Sequence, residues 1–130
     1  MTATVSHSPV AKPAIHFIGV GFPRCGTTWL TRCLQNHPRI FIPPRKELHY
    51  FNNEGRYEHD LNLLKRSFRG SREGQLLGEY TPRYMIFPHA LRRIRWHFPD
   101  VRLLVALRDP VDRAFSEYLF RRHNMKQDPC

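Results

Sequence analysis

The stretch "IHFIGVGFPRCGTTWL", Ile15 to Leu30, decides the fold. Its first six residues, Ile15–Val20, are a short and mostly apolar run suited to a buried strand, and Gly21 and Pro23 close that run in a turn. A helix can start at Thr27 or Thr28, because Trp29, Leu30, Cys33, Leu34 and His37 recur at helical spacing until Pro38 ends the element. Strand, glycine turn and helix in that order open an α/β unit. Gly21 and Gly26 keep the spacing of a phosphate loop, GxxxxGK[ST], but Thr27 stands where the lysine belongs and Thr28 follows it. The positive charge lies inside the loop instead, at Arg24. Glycine at both ends lets the backbone approach an anion, the helix N-terminus adds partial positive charge, two hydroxyls can donate, and Arg24 adds a charge-assisted fork. These features together predict a phosphate or sulfate site that needs no magnesium held by a lysine–serine pair. The competing reading is a plain glycine turn with a solvated Arg24.

Downstream, "VRLLVALRDPVDRAFSEYLFRR" carries the second clear signal. An apolar strand, Val101–Leu107, runs into a helix with Asp109 as N-cap, Pro110 at the first helical position and Asp112 beside it. Val111, Ala114, Phe115, Tyr118 and Leu119 form the stripe expected to face inward. Two buried strands that each feed a helix predict a parallel sheet with its sites at the carboxyl ends of the strands. Between these units the residues predict a brief strand at Ile40–Ile42. Pro43 and Pro44 break it into a loop that holds "RKELHYF" near the surface. A helix is predicted over Tyr57–Phe68, where Leu61, Leu64, Lys65 and Phe68 share a face. "LLGEYTPRYM" begins with a short buried piece before Pro82 turns it. Ala90–Phe98 reads as a helix with Leu91, Ile94 and Phe98 opposite a solvated basic face of Arg92, Arg93 and Arg95.

Composition bounds the rest. The chain has 130 residues, 41% hydrophobic and 12% aromatic, enough for one domain with a small core. Lys plus Arg number 21 against 11 acidic residues, a formal charge of +10 that favours anionic ligands. Both halves of the chain share the excess, which suits anion pockets within a fold as well as it suits a nucleic-acid arm. Cys25, Cys33 and Cys130 are odd in number and lack chelating spacing, so a reduced, cytoplasmic setting and no metal are expected. The eight histidines are scattered, and even His89 and His97 are too far apart to share a ligand face. No run reaches the length of a membrane span, and residues 1–13 lack the apolar core of a secretion signal and read as a flexible tail.

"GFPRCGTTWL" resembles the 5′-phosphosulfate loop of the sulfotransferase family that uses 3′-phosphoadenosine 5′-phosphosulfate (PAPS), and "LLVALRDPVDRAFSEYLF" resembles its 3′-phosphate motif. "HPRIFIPPRKELHYF" and "GEYTPRYM" are similar to segments of the branch that includes carbohydrate sulfotransferases. The four segments fall in the family's order and cover most of Ile15–Phe120. The resemblance implies an α/β fold like that of P-loop NTPases, with a parallel sheet flanked by helices, of which residues 14–130 are the incomplete N-terminal portion. It implies donor binding by Arg24, Cys25, Gly26, Thr27, Thr28 and Trp29, with Arg108 and Ser116 at the 3′-phosphate. In that branch the Glu after a Lys is the catalytic base, here Glu47 after Lys46.

Residue chemistry agrees, because sulfuryl transfer from a phosphate leaving group to a hydroxyl, in line, needs positive charge on the leaving side and a base on the entering side. Arg24, Thr27 and Thr28 can supply the first. Glu47 is the candidate base and His49 the runner-up, since histidine is a residue type suited to general base work near neutral pH. Glu79, Tyr80 and Arg83 are candidates for the acceptor cleft. The family more often has Lys where Arg24 stands, and its domains continue well past the 3′-phosphate helix. The isolated chain is therefore expected to bind anions and turn over weakly or not at all, as a fragment, a shortened product or a protein completed by self-association. The alternative reading is a non-catalytic nucleotide- or polyanion-binding module. A P-loop kinase fits worse, since the lysine after Gly26 is missing and Asp109 serves as a helix cap. No motif names the acceptor.

Overall fold

A computed structural model describes residues 14–58 and 61–125. The strands are β1 (Ile15–Gly21), β2 (Ile40–Phe41), β3 (Leu76–Tyr80) and β4 (Arg102–Ala106). They form one sheet in the order β2-β3-β1-β4, with every pair parallel. Parallel neighbours require crossovers, and helices supply them. These are α1 (Thr27–Gln35), α2 (Asn62–Ser67), a 3-10 turn at Pro82–Ile86 and α3 (Pro88–His97), while α4 (Pro110–Met125) follows β4. The expected parallel α/β architecture is present, and β1 lies inside it between β3 and β4.

The core gathers on Ile18 and Val20 of β1, against Leu48, Phe51, Leu61, Leu64, Tyr84, Ala90 and Ile94. Full burial of each Val, Leu, Ile or Phe among them contributes roughly 1.5–3 kcal/mol. Gly19 admits a close approach: a Cβ there would lie 2.2 Å from the Tyr80 ring, which covers β1 from the neighbouring strand.

One local expectation gains detail and three need correction. "LLGEY" is not merely a buried piece but the strand β3, paired on both sides. The helix expected over Tyr57–Phe68 shrinks to Asn62–Ser67, because Leu61 turns left-handed (φ 60°) while its side chain is buried. Tyr57 serves tertiary contacts instead, with its hydroxyl 2.9 Å from His97 Nε2 and the Arg93 guanidinium 4.0 Å from its ring centre. "RKELHYF" does not stay wholly at the surface, since Leu48, Tyr50 and Phe51 enter the core, while Arg45 is exposed and Lys46, Glu47 and His49 are half-exposed. The stripe of α4 does not face inward either. Val111 is 75% exposed and Phe115 62%, with Tyr118 and Leu119 also open to solvent. The tail at residues 1–13 and the end of the span 14–130 lie outside the described residues. Among those described, no helix is long and apolar enough to cross a membrane.

Candidate active site

The carboxyl ends of β1, β3 and β4 point toward one region. After β1, the backbone turns left-handed at Arg24 (φ 69°) and again at Gly26 (φ 75°), the residue that caps α1. No side chain caps α1 and its first turn has no acidic residue, so its N-terminal amides keep their pull on anions. After β4, Asp109 Oδ1 accepts from the amides of Val111 (2.9 Å) and Asp112 (3.2 Å), the expected N-cap of α4. That cap fixes Arg108 just before the helix and Ser116 within it. Arg108 donates to the Arg24 carbonyl at 3.3 Å, and Arg24 Nε donates to Ser116 Oγ at 3.4 Å. The Arg24 guanidinium also lies 4.4 Å from the centre of the Phe120 ring, a cation–π contact that no sequence motif announced.

These groups border a cavity of about 580 Å³, together with Thr27, Thr28, Lys46, Glu47, Arg83 and Glu117. Four cationic side chains face two carboxylates there, a balance suited to an anion. Thr27 and Thr28 occupy the start of α1, with Thr27 buried and Thr28 exposed. Trp29 stands largely in solvent at the cavity's edge. Cys25 belongs to the loop without bordering the cavity, and its thiol faces the Pro23 carbonyl at 3.9 Å. Lys46 Nζ reaches Thr28 Oγ1 at 2.6 Å and Glu47 Oε1 at 3.2 Å. Glu47 Oε2 lies 3.4 Å from His49 Nε2. One chain of polar contacts thus runs from the α1 N-terminus to both candidate bases. Among the described residues, no group of three or more His, Cys, Asp or Glu side chains is placed to hold a metal.

Glu47 and His49 both have left-handed backbones, at φ 56° and 50°. Such conformations cost of order 1–3 kcal/mol each for non-glycine residues and persist only where surrounding contacts enforce them. Glu79, proposed above for the acceptor cleft, lies beneath that segment, 1% exposed, and Tyr80 is buried as well; of the three candidates only Arg83 borders the cavity. Burial pushes the Glu79 carboxyl up to about 7, against hydrogen bonds from Thr81, Leu48 and Tyr84 that lower it, while the nearby Glu47 raises it further.

The family model for the sulfotransferase domain matches residues 15–129. The chain belongs to the sulfotransferase domain family. Among curated sulfotransferases, it is 37% identical over 108 residues to the membrane-associated sulfotransferase kil1 of Dictyostelium discoideum, covering 81% of this chain and 22% of that one. It is 35% identical over 99 residues to heparan sulfate glucosamine 3-O-sulfotransferase 6 of Homo sapiens, covering 76% of this chain and 28% of that one. The crystal structure of a sulfotransferase from Alicyclobacillus acidocaldarius superposes with a TM-score of 0.76 at 34% identity, covering 93% of this chain and 54% of that one. The chain thus spans under a third of the length of these two curated sulfotransferases and about half that of the bacterial one.

Proposed function

We propose that the cavity binds PAPS and that the chain takes part in transferring its sulfuryl group to an acceptor hydroxyl, with a carbohydrate as the acceptor class. The observation that carries this reading is that Arg24, Thr28, Arg108 and Ser116 border the same cavity as Glu47. When bound, PAPS supplies the SO₃ group and a bisphosphate leaving group. The loop Arg24, Cys25, Gly26, Thr27, Thr28 and Trp29 is assigned to the 5′-phosphosulfate, through backbone amides, two hydroxyls and the Arg24 guanidinium. Arg108 and Ser116 are assigned to the 3′-phosphate. Glu47 is the base for the acceptor hydroxyl, with His49 as runner-up. Arg24 and Lys46 provide positive charge on the leaving side without a metal. Likeness to a heparan sulfate enzyme supports the carbohydrate acceptor. Free thiols at Cys25 and Cys33 support a cytoplasmic setting.

Calorimetric titration tests the donor assignment. 3′-Phosphoadenosine 5′-phosphate (PAP) should bind at least tenfold more tightly than ATP, and equal affinity overturns the 3′-phosphate site. Glu47→Gln should abolish sulfuryl transfer while leaving PAP binding within twofold. A second reading, a nucleotide- or polyanion-binding module without turnover, rests on the same cavity, whose four cationic side chains suit an anion whether or not transfer follows. PAP binding with no transfer to any hydroxyl acceptor would select it. Self-association is proposed from the exposed Leu107, Val111 and Phe115, and sedimentation at increasing concentration tests it.

A further inference from the structure

Three successive backbone amides of the Glu47 loop donate to side chains of one other segment. Leu48 N–H donates to Glu79 Oε1 at 3.2 Å, His49 N–H to Thr81 Oγ1 at 3.4 Å, and Tyr50 N–H to Tyr84 Oη at 2.9 Å. Successive amides of an extended strand point in alternate directions, so a run of three received by one segment demands a special backbone path. The left-handed residues Glu47 and His49, on either side of Leu48, provide it. The acceptors are themselves linked, since Thr81 Oγ1 and Tyr84 Oη both donate to Glu79 Oε1, making that oxygen the hub. From the other side Arg56 Nη1 donates to the Leu48 carbonyl at 2.6 Å, so the Leu48 residue is held through both its amide and its carbonyl.

Burial argues that this arrangement has a purpose beyond filling space. Glu79, Thr81 and Tyr84 are essentially inaccessible to solvent, and Glu79 Oε2 has no hydrogen-bond partner among the described residues. A leucine would fill that volume without the desolvation cost of a carboxyl group. What leucine would lack is the acceptor on which the loop hangs. The output of the loop is the Glu47 side chain, which borders the cavity beside Lys46, while His49, outside the cavity lining, meets its other oxygen.

We propose that Glu79, Thr81 and Tyr84 are positioning residues that clamp the 48–50 backbone and so aim the Glu47 carboxylate into the cavity. The assignment rests on the reading of Glu47 as base. It gives "GEYTPRY" a role distinct from touching the acceptor.

The test uses the 130-residue chain loaded with PAP and measures amide hydrogen exchange by NMR. Glu79→Leu should speed exchange at Leu48, His49 and Tyr50 at least tenfold. It should leave Ile18 and Val20 unchanged and the PAP dissociation constant within twofold, because the clamp does not touch the Arg24 loop or α4. Thr81→Val, a milder change, should act most strongly on His49. Glu79→Gln keeps an acceptor oxygen and should restore protection, and sulfuryl transfer should fall tenfold in the leucine variant and recover in the glutamine variant. Unaltered protection, or faster exchange throughout β1 with weakened PAP binding, overturns the proposal. Glu47→Gln separates the two readings: full transfer with 48–50 still protected would refute Glu47 as base, and with it the aiming role, while leaving a purely structural clamp.

Discussion

Arg24 is held at three points: its backbone is left-handed, its carbonyl accepts from Arg108, and its guanidinium meets Ser116 and Phe120. A planar fork can lie against the ring and still donate from its edge to the hydroxyl, whereas a lysine ammonium is a compact charge with no plane to stack. Arg24→Ala should weaken PAP binding by 10- to 100-fold, the range of a charge-assisted hydrogen bond worth about 1.5–3 kcal/mol, and Arg24→Lys should recover only part of it by calorimetry. Glu79 makes a prediction of another kind. Its folded value near 7 lies above the ordinary 4.5, so the folded state binds its proton more tightly than the unfolded chain does. The resulting stabilisation is complete below about pH 4.5 and is lost as pH rises through about 7, a change of up to about 3 kcal/mol. Urea midpoints at pH 5 and pH 8 should differ in that direction, and Glu79→Gln should narrow the difference. Glu47, after Lys46, could be picked out only because its segment resembles one in carbohydrate sulfotransferases, and His49 followed as a second base nearby. Their left-handed backbones could not be read there, because tertiary hydrogen bonds from residues some thirty positions away impose them.

The two strand-to-helix units were the most readable elements because their signals are local. An apolar run, a glycine loop and a threonine start mark β1 and α1, while Asp109 and Pro110 mark α4. β3 was harder to read, since Gly78 interrupts its apolar pattern and the strand depends on pairing with both β1 and β2. α2 was overextended because helical spacing continues through Leu61, where the backbone turns the other way. The α4 cap has a functional consequence, as it stands between Arg108 and Ser116. Asp109→Ala should cost about 1 kcal/mol of stability, measured by denaturant unfolding. It should also reduce the preference for PAP over AMP several-fold, because both groups assigned to the 3′-phosphate lose their placement.

At the scale of the molecule, the sheet of the described residues ends in β4, whose outer edge, unpaired among them, continues into the exposed residues of α4. Leu103, Val105, Leu107, Val111 and Phe115 leave a broad apolar surface open. Amphipathic spacing correctly marked α4 as having an apolar face, but periodicity cannot tell which atoms will cover it. An open apolar patch beside a free strand edge favours association. The chain should bind an environment-sensitive apolar dye. Val111→Lys with Phe115→Lys should lower that signal several-fold while the far-UV circular dichroism stays unchanged, since neither substitution touches the Ser116 and Phe120 contacts with Arg24.

The Tyr80 ring pressed on Gly19 has a consequence for mutational tolerance. The smallest side chain at position 19 would collide with that ring at 2.2 Å, and displacing it costs of order 1–3 kcal/mol or more. In a saturation screen scored by growth or reporter output, Gly19 would be as intolerant as a reacting group, although it is buried in β1 and borders no part of the cavity. Thermal melting distinguishes the cases: Gly19→Ala should lower the midpoint by several degrees, whereas Glu47→Gln should leave it nearly unmoved.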